Sequence, residues 1–228
     1  MKLPFQRDAF IRVAPFVVFM ALLWLRSIAP ADGSWGFDPR WLYGAKVLLV
    51  GAMLAWWWRE YGELAAQTLP TLREGTMAVL SGLVVFFVWV QLDAPWMTLS
   101  VGGTAAPFTP LQADGAIDWP LAAARLAGAA LVVPVMEELF WRSYLMRWLQ
   151  HPRFASVAPR AVGLRAVLLS TFVFVLAHTL WLAAVFAGLV YAWLYVRTGK
   201  LWVAVISHAV TNGALGVWVL ATASWSFW

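Results

Sequence analysis

The sequence predicts an all-α fold, a polytopic membrane helix bundle of about seven transmembrane helices, and three observations support it. Hydrophobic residues make up 63% of the 228 residues, and charged residues only 12%. A soluble domain carries roughly a quarter charged residues. Mean hydropathy is +0.75, and apolar runs recur along the whole chain. Lipid must therefore surround most of the side chains.

Seven apolar runs can be drawn, and an eighth span is the alternative. Most are long enough to cross a hydrocarbon core of about 30 Å at about 1.5 Å per residue. The sixth is short, so we expect it to tilt or to be buried by its neighbours, and the fourth is long enough to emerge from the membrane. Residues 1–228 are thus predicted to form a single integral membrane domain. The runs are 10–28, 41–58, 76–92, 121–149, 164–181, 182–196 and 201–222.

The aromatic and sulfur-containing residues exclude several classes of function. Many of the 17 tryptophans lie at the ends of apolar runs, which is typical of anchoring at the membrane interface. No basic stripe accompanies them, so a nucleic-acid partner is not expected. The chain has no cysteine, which excludes disulfides, a thiolate nucleophile and a cysteine-based metal site.

The distribution of basic residues predicts the orientation. With the N-terminus inside, the inner segments hold most of the lysines and arginines, while the long loop from Asp93 to Trp119 holds none. The positive-inside rule therefore predicts a cytoplasmic N-terminus and a C-terminus outside. Arg12 lies well inside the first apolar run, which favours an uncleaved first span over a signal peptide. Three basic residues near span ends are expected to snorkel to the interface without a function: Arg26, Lys46 and Arg125.

A few polar residues lie deep in the apolar runs. Of eleven acidic residues only the adjacent Glu137 and Glu138 do so, and of three histidines only His178 and His208, with Asn212 four residues after the latter. Ionisable groups within a membrane are costly and are candidates for function. At about 1.5 Å per residue, the three helices place these groups at comparable depth.

The spacing of these residues predicts which side chains meet. Glu138 and Arg142 are four residues apart and can form an ion pair, whereas Glu137 is rotated by about 100° and cannot share that face. His208 and Asn212 are also four apart, and Phe174 can pack on the imidazole four residues later. Each pair alone could be structural, as a clamp or as interhelical hydrogen bonding. The agreement in depth favours a functional site.

Such a set of residues is suited to hydrolysis. A carboxylate with a histidine can hold and deprotonate a water molecule, and a second histidine with an asparagine can stabilise an oxyanion. The chain has no Gly-x-Ser-x-Gly and no His-Glu-x-x-His pattern. We expect no cofactor and no metal, although zinc held by Glu137, His178 and His208 is chemically possible.

Three motifs in this order along the chain together resemble the CAAX-protease and bacteriocin-processing family of intramembrane endopeptidases. They are Glu137-Glu138-x-x-x-Arg142, Phe174-x-x-x-His178 and His208-x-x-x-Asn212. The resemblance covers about residues 121–222, the motif-bearing core, and each motif alone would be weak. It implies that Glu137 and His178 activate water and that His208 and Asn212 form the oxyanion site. It also implies supporting roles for three further residues: Glu138, Arg142 and Phe174.

Residues 140–148 and the Trp-rich stretch 225–228 resemble a bacterial subgroup of that family that is associated with exosortase (PEP-CTERM) protein sorting. This resemblance implies a bacterial inner membrane protein and a membrane-associated peptide or protein substrate that is not a prenylated C-terminus. It also implies components of a sorting system as partners.

Two other functions stay open. Deep Glu and His residues could relay protons in a transporter or channel. The chain could also be a non-catalytic membrane scaffold that uses the motifs for packing. Inverted repeats or broken helices would favour transport. The nearest feature is Pro134, three residues before Glu137, which is expected to kink the fourth helix and open the site.

Overall fold

The computed structural model describes residues 7–29, 34, 36–99 and 107–228. Within these residues seven main helices follow one another, one at each predicted apolar run, joined by loops with short 3-10 turns and isolated β-bridges but no strand. The prediction of an all-α bundle is confirmed. The helices are α1 (Arg7–Ile28), α2 (Trp41–Trp56), α3 (Leu72–Trp89), α4 (Trp119–Gln150), α5 (Leu164–Leu176), α6 (Trp181–Thr198) and α7 (Leu201–Thr222).

Five of these helices, α1, α3, α4, α6 and α7, are long and apolar enough to cross a membrane. The other two are shorter, because α2 has 16 residues and α5 has 13. The short run was expected to be the sixth, but α6 has 18 residues and α5 is the shortest. The fifth run was drawn too long because residues 177–180 are apolar enough to extend it, although they form a turn. The chain is an integral membrane protein.

The described loops form two groups at opposite ends of the helices. At the N-terminal face, where α1 begins, Arg7 pairs with Glu60 (Nε–Oε2 2.6 Å) and Lys200 with Glu74 (Nζ–Oε2 2.8 Å). At the C-terminal face, where α7 ends, the Leu99 amide donates to the Thr179 carbonyl at 2.7 Å. Since the chain alternates between these two faces, each helix runs from one face to the other.

Helix α4 combines α-helical and π-helical turns. Its α segments are Trp119–Ala127, Val133–Glu138 and Arg147–Gln150, and its π segments are Gly128–Val132 and Leu139–Met146. Pro134 has no N–H and its ring would clash with the carbonyl four residues back, so a wider turn before it relieves the conflict. The disturbance expected at Pro134 thus takes the form of a π turn. The adjacent glutamates lie in the short α segment between the two π segments.

Helices α3 and α7 pack with their backbones close together. A side chain at Gly82 would collide with the Ser207 carbonyl and with Val210, so only glycine fits there. The Thr211 hydroxyl donates to the Gly82 carbonyl at 2.9 Å across the same contact. This contact fixes α7 in the bundle, where α4 and α6 also pack against it.

Candidate active site

Glu138 joins two helices at the centre of the site. The side chain is fully buried, and its Oε1 atom accepts hydrogen bonds from Arg142 Nη1 at 3.0 Å and from His208 Nδ1 at 2.8 Å. Arg142 Nη2 lies 3.3 Å from the Gly188 carbonyl, so this arginine also binds α6. The predicted pair of Glu138 and Arg142 is confirmed, and the bond to His208 adds α7 to it.

Aromatic rings enclose these charges. The Arg142 guanidinium lies 4.8 Å from the ring centroid of Phe174 and 5.3 Å from that of Tyr191. Tyr191 also stacks on the His208 imidazole, with the centroids 4.8 Å apart and the planes at 17°. Its hydroxyl donates to Thr211 Oγ1 at 2.8 Å. Tyr191 is therefore a residue of the site that sequence reasoning missed.

The bond to Glu138 determines where the His208 imidazole carries its proton. A carboxylate oxygen can only accept, so Nδ1 carries the hydrogen and donates it. The Nε2 atom is left to interact with any other group that enters the site. Glu138 Oε2 is buried without a hydrogen-bond partner within the described residues, as is Ser207 Oγ beside His208. Buried polar atoms without partners cost free energy, so these atoms favour binding of a polar group.

Glu137 has a different environment, as its position on the helix predicts. Its Oε2 accepts a hydrogen bond from Trp141 Nε1 at 3.2 Å, and the residue keeps 9% of its surface exposed. Its Oε1 has no hydrogen-bond partner in the described part of the chain, and no arginine, lysine or histidine there pairs with either oxygen. Unlike Glu138, Glu137 is therefore not ion-paired in the described part of the chain, and it keeps some exposed surface through which another molecule can reach it.

His178 does not lie inside helix α5, where the sequence placed it. The helix ends at Leu176, and the imidazole Nδ1 lies 2.8 Å from the Phe174 carbonyl. That carbonyl lies in the last turn of the helix and also accepts from the Ala177 amide at 3.1 Å, so the imidazole is its second donor. Because a carbonyl can only accept, Nδ1 carries the proton, and a neutral imidazole then has its lone pair at Nε2. The predicted packing on Phe174 is confirmed, with the centroids 4.2 Å apart.

Asn212 binds the backbone of α4. Its Nδ2 donates to the Ala129 carbonyl at 2.9 Å. In a regular α-helix that carbonyl would accept from the Val133 amide, but Val133 donates to Gly128 in the π turn. The next candidate donor, Pro134, has no N–H. Asn212 therefore satisfies a carbonyl that the π turn and the proline leave unpaired.

The predicted polar groups of three helices are brought together. Glu138 binds His208 directly, and His178 interacts electrostatically with both Glu137 and His208. Phe174 contacts both Arg142 and His178. No group of three or more His, Asp or Glu side chains among the described residues is arranged to hold a metal ion.

A second buried ion pair supports α4 at the N-terminal face. Arg12 binds Glu63 through two hydrogen bonds, Nε–Oε1 at 2.8 Å and Nη2–Oε2 at 2.6 Å. Glu63 also accepts from Ser143, which lies in the second π segment of α4. Burial raises the pKa of Glu63, but the hydrogen bonds and positive charge of Arg12 outweigh burial and hold that pKa below its ordinary value. The only indication of this pair in the sequence was Arg12, which lies within the first apolar run.

Comparison with known proteins agrees with the three motifs. The family model described as type II CAAX prenyl endopeptidase Rce1-like matches residues 119–214, which contain all seven predicted site residues. No match was found among the curated proteins or among the solved structures. The predicted family resemblance is confirmed, and the match supports an intramembrane endopeptidase activity. The exosortase-associated subgroup stays a prediction. The segment that builds the site is thus similar to the Rce1-like type II CAAX prenyl endopeptidases.

Proposed function

We propose that this protein is an intramembrane endopeptidase in which Glu137 and His178 activate a water molecule to hydrolyse a peptide bond. The observation that carries this proposal is the difference between the two adjacent glutamates. Glu138 is ion-paired with Arg142 and hydrogen-bonded to His208, so it is committed to holding the helices together. Within the described residues Glu137 has only the indole of Trp141 as a hydrogen-bond partner, which leaves its Oε1 atom available to water.

In this mechanism Glu137 takes a proton from the water while the water oxygen attacks the carbonyl carbon of the peptide bond. A new C–O bond forms, and the carbonyl oxygen becomes an oxyanion. His178 holds the water through Nε2, because the Phe174 carbonyl occupies Nδ1. The C–N bond then breaks, and the proton passes from Glu137 to the leaving amine. A positioned general base of this kind contributes about 10²–10⁴ in rate.

We assign His208 the role of a hydrogen-bond donor to the oxyanion through Nε2. Its Nδ1–H donates to the Glu138 carboxylate, which fixes the orientation of the ring. During attack one negative charge moves from Glu137 to the oxyanion, towards a hydrogen-bond donor that is already in place.

Asn212 supplies a second donor to the oxyanion. An asparagine amide carries two N–H groups, and the Ala129 carbonyl accepts only one of them here. The bond to Ala129 holds the amide in a fixed orientation, so little reorganisation is needed at the moment of reaction. We therefore assign Asn212 both a structural bond and a catalytic one.

Reconstituted vesicles can separate this proposal from proton transport. The wild-type protein should cleave a membrane-anchored fluorogenic peptide in proteoliposomes, and His178→Gln should lower the rate by at least about a hundredfold. The matched control is His151→Gln, which changes the exposed histidine at the N-terminal face and should cleave normally. Proton flux that depends on His178, with no cleavage of any membrane-anchored peptide, would favour the transporter instead.

The proposal also covers the orientation of the protein in the membrane, the membrane that holds it, its substrate and its partners. We propose that the N-terminal face is cytoplasmic and the C-terminal face lies outside the inner membrane of a bacterium, on the charge bias of the loops. The proposed substrate is a membrane-associated peptide or protein, with components of a sorting system as partners. Reporter fusions should read inside, outside and inside at positions 66, 105 and 156. Position 105 lies outside the described residues, and equal readings at the first two positions would contradict the seven-span scheme.

A further inference from the structure

Three basic side chains lie together towards the C-terminal face and share aromatic rings. Lys46 on α2 and Arg125 on α4 both lie against the ring of Tyr43, with their charged groups 4.7 Å and 4.5 Å from its centroid. Arg125 and Arg26, near the end of α1, both lie against Phe108, at 5.7 Å and 5.2 Å. We refer to Arg26, Lys46 and Arg125 as the cation cluster. It joins three helices through two shared rings.

Lys46 does not snorkel as the sequence suggested, whereas Arg26 and Arg125 are partly exposed. Lys46 is only 2% exposed, and its ammonium lies 4.0 Å from the ring centroid of Phe19. Arg125 Nε is buried without a hydrogen-bond partner within the described residues. Arg125 repels both Arg26 and Lys46, and these two also repel each other. Three basic groups held this closely, one of them almost fully buried, favour binding of an anion.

The nearby acidic residues that the structure describes are engaged elsewhere. Asp38 pairs with Arg40 at 2.7 Å. Asp118 caps the start of α4 by accepting from the Leu121 amide at 3.2 Å. No ion pair joins a carboxylate to the cation cluster among the described residues. The π faces offset part of the cost of burying the three charges, but they do not neutralise them.

The position of the cation cluster indicates which anion is available. Trp24, Trp41 and Trp119 lie near the same ends of α1, α2 and α4 and are 64%, 46% and 64% exposed. Exposed tryptophans of this kind lie at the level of the lipid headgroups. The anion found at that depth is the phosphate of a phospholipid. Guanidinium and ammonium groups together bind phosphate oxygens through charge-assisted hydrogen bonds.

We propose that the cation cluster binds the phosphate of an anionic phospholipid headgroup. The lipid fits where α1, α2 and α4 meet, and its phosphate neutralises Lys46 and Arg125. Binding there holds α1 and α2 against α4, the helix that carries the candidate catalytic glutamates. This site is separate from the proposed hydrolysis and does not depend on it. Free inorganic phosphate has the same chemistry and is the alternative source that the experiment must distinguish.

The test uses the full chain, delipidated in a neutral detergent. Adding phosphatidylglycerol at about a hundred times its Kd should raise the Tm by about 5–10 °C, whereas phosphatidylcholine or inorganic phosphate should raise it much less. Lys46→Met and Arg125→Met should each abolish the rise and reduce the lipid phosphorus retained per protein. The matched control is Arg153→Met, an exposed arginine at the other face, which should respond like the wild type.

In the absence of lipid, Lys46→Met should no longer be at a disadvantage in Tm relative to the wild type. Without lipid, Lys46→Met removes an uncompensated buried charge, so its Tm should equal or exceed that of the wild type. A fall in Tm of the same size with and without lipid would mean that a carboxylate of the chain pairs with Lys46, and would overturn the proposal. An equal rise with phosphatidylcholine, or a full rise with inorganic phosphate alone, would also overturn it.

Discussion

Removing the charge of Glu138 should destabilise the protein before it affects any chemistry. Its carboxylate is fully buried and lies 3.0 Å from Arg142 Nη1, so Glu138→Gln leaves the guanidinium without its counter-ion. Breaking a buried ion pair from one side costs about 3–5 kcal/mol. For a chain of this size, each kcal/mol lowers the Tm by about 2–4 °C, so a fall of about 6–20 °C is expected. The assay is thermal unfolding in detergent.

The double variant Glu138→Gln with Arg142→Met should recover part of this loss, because both charges are then removed together. Glu60→Gln is the matched control, since it removes the carboxylate of an exposed pair and should barely change the Tm. A Tm for Glu138→Gln that lies within about 2 °C of the wild type would refute the reasoning. Failure of the double variant to recover any stability would also count against it.

Three further predictions concern the metal, the oxyanion site and pH. Purified protein treated with a chelator should keep its cleavage activity, and stoichiometric zinc whose removal abolishes turnover would reverse this prediction. Asn212→Ala should lower kcat by about 10²–10³ with KM little changed. It should also lower the Tm, because the Ala129 carbonyl loses its donor. A change in KM alone would make Asn212 a substrate-positioning residue. Because the pKa of Glu63 lies below its ordinary value, its pairing stabilises the fold above about pH 4.3 and is lost as the pH falls through the folded-state pKa. The Tm difference between wild type and Glu63→Gln should therefore shrink in acid, and a difference that is constant from neutral pH to acid would contradict this.

The sequence predicted the features that depend on local geometry. Residues four apart on one helix must lie on one face, so the pair of Glu138 and Arg142 followed from spacing alone. The same rule separated Glu137 from Glu138. The seven helices followed from the apolar runs, because length and hydropathy determine whether a helix can lie in lipid.

The missed features depend on contacts between helices. The bond from His208 to Glu138 joins residues 70 positions apart, and no spacing rule indicates it. Tyr191 looked like any other aromatic residue in an apolar run, although it stacks on His208. The bond of Asn212 depends on the π turn, for which Pro134 was the only advance sign. Lys46 was expected to reach the interface because it lies near the end of its span. The sequence does not show that Phe19, on another helix, encloses its ammonium group together with Tyr43.

Comparing cleavage with folding for the two adjacent glutamates tests the central claim most directly. Glu137→Gln keeps the size and hydrogen bonding of the side chain but removes the base, so the Tm should match the wild type while cleavage of a membrane-anchored peptide is abolished. Glu138→Gln should lose stability first, and its activity should fall as a consequence. Normal cleavage by Glu137→Gln, together with a folded but inactive Glu138→Gln, would contradict the assignment of Glu137 as the base.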